Sequence, residues 1–451
     1  MIKIQKISVE GLFGIFDHVI ALNLDERITI IHGPNGFGKT AILRMLNAFF
    51  NSQYSLFKTI PFSKFRIDFD NGDAIEVLKK SDSIRKNEKE IIDFDFYKSG
   101  DSKASNSFNV DQIEDNVLFQ TINNNYFQSN IDEIHNSRTY IDSAYYLSLE
   151  KSGWVEYYDS SVPILSRSPE EPEWLEYIKQ DVNLRLIESQ RLLNLASRQS
   201  SRSDNKKTPL STVSAYSEEI AELIQAKLTE YGTTSQSLDR TFPARVVQQK
   251  PSHSITEEQL RNQLIELEEK RSRLIQVGLL DQAENSDFQI QPGSIDETTQ
   301  NILSVYIEDV EKKLGVFEEV FRKIELLRRI INKKFSYSFK VMNLNKETGF
   351  VFSTNHQVSS NPKTISPTDL SSGEQHELVL LYELLFKVKP NSLVLIDEPE
   401  LSLHVGWQSQ FLQDLKEITE LADLNVLMAT HSPDIIQDRW DLTVELKGPE
   451  V

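Results

Sequence analysis

Short apolar runs mark both ends of the chain, and two long amphipathic stretches occupy its middle. Met1-Ile2-Lys3-Ile4 alternates as a strand does, and Ile28-Thr29-Ile30-Ile31 is a β-branched run suited to a buried strand. Lys64 to Phe69 and Ala74 to Val77 alternate about Asn71-Gly72, the pattern of a β-hairpin. Val182 to Ile187, Leu393 to Ile396, Asn425 to Ala429 and Leu442 to Leu446 read as further strands. In the middle, Thr256 to Val277 carries Leu260, Leu264, Leu267 and Leu274 on one helical stripe. Glu297 to Lys334 repeats Leu303, Ile307, Val310, Leu314, Phe317, Phe321, Ile324 and Ile331 at spacings of three and four. Gln291-Pro292-Gly293 lies in the break, so the pattern predicts an antiparallel helical hairpin. Its first arm, about 22 residues, would be roughly 33 Å long. Ser197 to Thr208, rich in Ser, Arg, Lys and Asn, reads as a loop. Residues 81–180, aromatic and acidic with Trp154, Tyr157, Tyr158 and Trp174, give no assignable fold.

The strand Ile28 to Ile31 opens onto Gly33-Pro34-Asn35-Gly36-Phe37-Gly38-Lys39-Thr40, a complete phosphate-binding pattern. Gly33, Gly36 and Gly38 let the backbone curl until successive amides face an anion, with Asn35 in the same curl. Lys39 supplies a point charge for β- and γ-phosphates, and the Thr40 hydroxyl a ligand for Mg²⁺. A helix from Thr40 to Asn47 would aim its positive end at the same anion. The bland alternative is a glycine-rich turn with an accidental Lys-Thr. At ordinary glycine usage the full pattern arises by chance in about a few per cent of chains this long. A strand before it and a helix after it make the accident rarer, and ATP or GTP binding follows.

Two acids end the strand Leu393 to Ile396. Asp397 is placed to hold Mg²⁺ through water, and Glu398 to accept a proton from an attacking water. Asp397-Glu398-Pro399-Glu400 as a solvated acidic turn is the alternative, with Glu400 next in line as base. Upstream, Leu370-Ser371-Ser372-Gly373-Glu374-Gln375 has, by itself, the residues of an N-capped helix start.

In that order, however, the three elements resemble the ABC ATPase superfamily, with Leu370 to Gln375 as its signature loop. The resemblance implies that Ser372 and Gly373 contact the γ-phosphate bound by another protomer, followed by a helix from Glu374 to Phe386. It makes Leu401-Ser402-Leu403-His404 the D-loop and His431 the switch histidine that senses the γ-phosphate. It also calls for a strand-terminal glutamine contacting Mg²⁺ and the attacking water. Gln190 is the candidate, with Gln120 and Gln128 as rivals. From Thr40 to Ser372 the interval is 332 residues, far longer than in transporter ATPases. The loop and signature are similar to those of the SMC/RecF/OLD branch. The expected fold is therefore α/β: an ABC-type ATPase head, a mixed sheet with helices and a P-loop, carrying an inserted α-helical hairpin. The expected boundaries are 1–182 and 336–451 for the head and 183–335 for the insertion.

Composition narrows the partners. The net charge of −19 argues against broad coating of a nucleic acid, although Arg322, Lys323, Arg328, Arg329, Lys333 and Lys334 form a local basic strip. There is no cysteine, which excludes the CxxC zinc hook of double-strand-break repair ATPases. The absence of cysteine, of an apolar run near eighteen residues and of a signal peptide suggests a cytoplasmic protein without membrane attachment. OLD-type enzymes carry a Toprim nuclease domain after the ATPase, and none fits after Leu446. In layout the chain resembles the ATPase subunits of bacterial anti-phage systems such as Septu, whose partner is an HNH nuclease, and PARIS, whose partner is a Toprim effector. Two functions follow as expectations. One is an ATP-gated scaffold, a homodimer or larger homo-oligomer, that restrains or releases a separate nuclease. The other is a RecF-like repair ATPase acting directly on DNA.

Overall fold

In the computed structural model, the described residues are 2–81, 90–110, 171–188, 211–248, 256–281, 296–354 and 364–449. They form two compact units, the first from 1–209 and 388–451 and the second from 210–387. The breaks thus fall beyond the expected 182/183 and 335/336. The strand at 184–187 pairs in a sheet of the first unit, while the segment 370–375 packs within the second.

The first unit contains two sheets. β1 (Ile4–Leu12), β2 (Phe16–Ala21), β4 (Lys64–Phe69), β5 (Ala74–Ser81), β6 (Glu90–Tyr97) and β7 (Asn106–Asn109) form an antiparallel sheet in the order β2-β1-β4-β5-β6-β7. The expected hairpin is β4–β5, registered from Lys64↔Leu78 to Asp68↔Ala74, with Gly72 at φ 86° in its turn. β6 and β7 extend it into the segment that had no assignable fold. The second sheet is parallel: β3 (Ile28–His32), β8 (Leu184–Ile187), β12 (Leu393–Asp397), β13 (Asn425–Ala429) and β14 (Thr443–Glu445), in the order β14-β3-β13-β12-β8. β3, β12 and β13 are buried almost throughout, as parallel strands covered on both faces must be.

Helix α1 (Lys39–Phe50) buries Ile42, Leu43, Met45, Leu46, Ala48 and Phe49, too many for one face. Those side chains share a single core with β1, β4, β5 and β6 on one side and Ile31, Leu395 and Leu427 on the other. After Lys39, only the stripe Thr40, Arg44 and Asn47 is polar, so the apolar arc is wide enough for the helix to join the two sheets. The short α2 (Ser55–Thr59) and α3 (Glu173–Asp181) close the same core through Phe57, Leu175 and Ile178. Helix α9 (Val405–Ala422) links β12 to β13.

The second unit holds α4 (Thr212–Gln248), α5 (Glu257–Gln276), α6 (Glu297–Gly315), α7 (Glu318–Phe335), α8 (Ser372–Tyr382) and a small sheet. That sheet comprises β9 (Lys340–Asn345), β10 (Gly349–Thr354) and β11 (Thr364–Ile365), in the order β11-β10-β9. The inserted helices are present, but their pairing differs from the predicted hairpin. The stripe Glu297 to Lys334 breaks at Val316-Phe317 into α6 and α7. Its antiparallel partner is α4: Lys313 meets Asp239 at 2.7 Å and Arg245 meets Asp309 at 2.6 Å, one index rising as the other falls. α5 also packs against α6, as the expected hairpin requires, but it runs parallel to the stripe, since Lys270–Glu318 (2.7 Å) and Arg273–Glu325 (3.4 Å) advance together. Gln291-Pro292-Gly293, Ser197 to Thr208, Trp154, Tyr157 and Tyr158 lie outside the described residues. α4 escaped the periodicity reading because its buried residues, from Thr212 to Ile224, occupy only its first third and Pro243 lies within it. At about 1.5 Å per residue it is roughly 55 Å long. Gly349, at φ 74°, admits α4: a Cβ there would lie 1.8 Å from the Ser217 carbonyl oxygen.

Candidate active site

Parallel strands set the site. β3 runs into the phosphate loop, β12 ends on Asp397 and β13 ends on Ala429, so three carboxyl ends open on one edge of the sheet. The loop's curl depends on Gly36 (φ 85°) and Gly38 (φ 89°). Gly38 caps α1 in the left-handed region, and a Cβ there would lie 2.3 Å from Leu12 Cδ2. The unpaired amides of a first helical turn therefore follow directly. Asn35 is exposed on the loop.

Lys39 is buried, and its Nζ donates to the carbonyls of Gly33 (2.8 Å) and Pro34 (3.0 Å). Burial depresses its pKa, while Glu398, Asp397 and Glu400 pull it back up. The Thr40 hydroxyl donates to Asp397 Oδ1 at 3.0 Å. Burial lifts Asp397 to about 6, opposed by the Thr40 bond and reinforced by Glu398. A hydroxyl and a poorly hydrated carboxylate in contact are a hard oxygen pair of the kind Mg²⁺ takes. Mg²⁺ held by Thr40 and Asp397 would neutralise charge on the phosphate oxygens.

Glu398 has φ 45° and ψ 59°, the left-handed conformation, which for a residue with a side chain costs about 1–3 kcal/mol. That twist turns its side chain off the strand direction and leaves its N–H donating to the Ala429 carbonyl at 2.9 Å. Its Oε1 lies 3.7 Å from His431 Nε2, and His431 Nδ1 lies 3.5 Å from Lys39 Nζ. The imidazole therefore bridges the loop lysine and the acid. A carboxylate beside a phosphate cradle can act as general base, and a neighbouring imidazole can respond to the terminal phosphate.

Of the expected site residues, Lys39, Thr40, Asp397, Glu398 and His431 come together. Gln190 lies outside the described residues, as do Gln120 and Gln128. The last described residue after β8, Glu188, pairs with Arg44 of α1 at 3.2 Å. Ser372 and Gly373 open α8 in the other unit, and Ser372 is exposed. The capping box is complete: Ser371 Oγ accepts the Glu374 N–H at 3.4 Å and Glu374 Oε2 accepts the Ser371 N–H at 2.8 Å. Burial pushes Glu374 up, but bonds from Lys340, Ser338 and Ser371 outweigh it and hold the carboxyl below its ordinary range. α8 starts two residues before the expected Glu374 and ends at Tyr382, passing into a π-turn over Glu383–Lys387. In the segment Leu401 to His404, His404 caps α9 by accepting the Gly406 N–H at 3.1 Å.

No sequence motif announces that the Glu400 carboxylate accepts the His431 backbone N–H at 2.6 Å. Half of the basic strip is also paired with acids within the fold: Lys334 is buried against Glu377, Arg322 pairs with Glu318 at 2.9 Å, and Lys323 with Glu319 at 2.9 Å. The i, i+4 Glu–Arg and Glu–Lys spacings were the available signal for the last two. Among the described residues no helix is long and apolar enough to cross a membrane.

A strand–loop–helix phosphate cradle with an acid-bearing neighbouring strand defines a P-loop nucleoside triphosphatase. Residues 2–436 match the AAA ATPase domain family, and the chain belongs to it. A stretch of 69 residues is 38% identical to protein ea59 of Escherichia phage lambda, covering 15% of this chain and 13% of that protein. Among solved structures, the chain is similar to the SMC head domain from Thermotoga maritima, at 12% identity and TM-score 0.35, with 100% of both chains covered. It is also similar to the Pyrococcus furiosus Smc head domain bound to the C-terminal domain of ScpA, at 13% identity and TM-score 0.33. That comparison covers 97% of this chain and 91% of the other.

Proposed function

We propose that the chain binds ATP with Mg²⁺ at this site and hydrolyses it as a homodimer or larger homo-oligomer. In this reading Gly36, Gly38, Lys39, Thr40 and the exposed Asn35 hold the nucleotide, and Asp397 and Thr40 serve the metal. Glu398 accepts a proton from the attacking water, and His431 follows the γ-phosphate. Ser372 and Gly373 of a second copy complete the site, and Gln190 joins the metal and the water. The observation that carries this is the convergence of Lys39, His431 and Glu398 within 3.7 Å steps at the ends of adjacent parallel strands. The cycle would act on a separate effector protein, a nuclease of HNH or Toprim type in anti-phage defence, through the helical unit, in the cytoplasm. The layout, an ATP site interrupted by a long helical insertion, supports that reading. Direct action on DNA has less support, because Lys334, Arg322 and Lys323 of the basic strip are held by acids.

Complementation tests the shared site. Ser372→Arg should retain nucleotide binding but lose hydrolysis, and Lys39→Ala should lose both. Mixed, the two should recover part of the activity, because one hybrid site then has two sound halves. No recovery from a mixture whose tagged subunits demonstrably exchange would refute the shared site.

A further inference from the structure

Glu400 has no task in the nucleotide chemistry above, yet it is held more tightly than a solvated turn residue would be. Its Oε1 accepts the backbone N–H of His431 at 2.6 Å, while Oε2 is buried without a hydrogen-bond partner. A carboxylate withdrawn from water with one oxygen unmatched costs free energy, so its retention points to what the matched oxygen does. Two other bonds secure the same crossover between β12 and β13. The Glu398 N–H donates to the Ala429 carbonyl at 2.9 Å, and the Ser432 hydroxyl donates to Gln408 Oε1 at 2.6 Å. The Glu400 bond falls between them, where the strands have parted and main chain no longer reaches main chain. There it secures His431, whose ring lies 3.5 Å from Lys39 Nζ and 3.7 Å from Glu398 Oε1.

The geometry points to Glu400 as a positioning residue: its carboxylate anchors the His431 main chain and so keeps the imidazole between the phosphate-loop lysine and Glu398. This inference rests on the site reading proposed above. It also argues against Glu400 as an alternative general base. One oxygen is already engaged by a donor and the other is closed to solvent, whereas Glu398 is partly open beside the loop. The competing role is a plain counter-charge, since Glu400 also favours the charged form of Lys39.

Two variants separate reach from charge. Glu400→Asp keeps the charge but is one methylene too short for the amide; Glu400→Gln keeps the reach and an acceptor oxygen but drops the charge. If Glu400 positions His431, Glu400→Asp lowers kcat by about 10- to 100-fold through misplacement of the ring. KM stays close to its original value, and Glu400→Gln recovers most of the loss. Combining Glu400→Asp with His431→Ala should be no slower than His431→Ala alone, because the effect passes through one ring. Thermal unfolding and equilibrium nucleotide binding accompany each variant. Should Glu400→Asp not fold, Glu400→Gln decides: a kcat well above that of His431→Ala supports the anchor, and a kcat as low overturns it. Equal losses in Asp and Gln, or additive losses with His431→Ala, also overturn it. Lys39→Ala is the control. Undiminished hydrolysis in that variant would refute the site itself, whereas a dead Lys39→Ala beside an unaffected Glu400→Asp would refute only the anchor.

Discussion

His18 shows how a single side chain can link the phosphate loop to the antiparallel sheet. It stacks on Phe16 at 5.7 Å, is buried, and its Nε2–H donates to the Phe37 carbonyl at 2.9 Å. Burial depresses its pKa below the ordinary 6.5, more than the Phe37 bond and Asp17 restore. The unfolded chain therefore takes up the proton first as pH falls, and folded stability drops on acidification below that value. His18→Gln retains a donor for the Phe37 carbonyl without titrating. From above pH 7 to about pH 5.5, Tm should fall less in the variant than in the unmodified protein. Parallel thermal scans would expose an error, since equal slopes would mean that His18 does not contribute. The expectation that Lys39, Thr40, Asp397 and Glu398 share one site came from sequence alone, because their chemistry is written in contiguous motifs, and the structure brings them together. His18 and Glu400 carry no such signature; each matters through one backbone group that the fold brings to it.

At the scale of elements, helix α8 is held from beneath by acids meeting bases. Glu374 accepts from Lys340 at 2.7 Å, and Glu377 is paired with Lys334, the two side chains being 0% and 1% exposed. Glu377 also leaves Oε2 without a hydrogen-bond partner. Removing one member of such a pair strands a buried charge, at a cost of about 3–5 kcal/mol, whereas two apolar replacements of similar volume remove the problem. Lys334→Met and Glu377→Leu should each lower the urea midpoint sharply, and the double variant should recover a large part of the loss. A double variant as unstable as the sum of the singles would show that the pair's charges are themselves required. The amphipathic stripe that identified α6 and α7 could not reveal this contact. By sequence Lys334 belongs to a basic cluster, and its burial depends on α8 more than forty residues further on.

For the whole molecule, the prediction concerns the step at which assembly and chemistry meet. Glu398→Gln removes the proposed base but keeps the shape of the turn. Turnover should slow by about 10²-fold or more, within the range of a positioned general base. With ATP, the same variant should accumulate as a closed dimer, visible as a rise in mass by light scattering. Undiminished turnover would remove Glu398 from the role of base. Slow turnover with no change in mass would count against ATP held between two copies.

The strand–loop–helix at the phosphate loop, the β4–β5 hairpin, the acids after β12 and the cap of α8 were all determined by sequence alone. Each is specified by residues adjacent in the chain: glycines where φ is positive, an Asn-Gly turn, Ser371 three residues before Glu374. The tertiary structure alone decided the strand order β14-β3-β13-β12-β8, the pairing of α4 with α6, and the boundaries of the two units. It also assigned Glu400 to His431 and Lys334 to Glu377. These depend on partners separated by tens to hundreds of residues, such as Ile30 beside Met428. Hydrophobic periodicity reports which face of an element is buried; which neighbour covers that face is settled only by packing the whole chain.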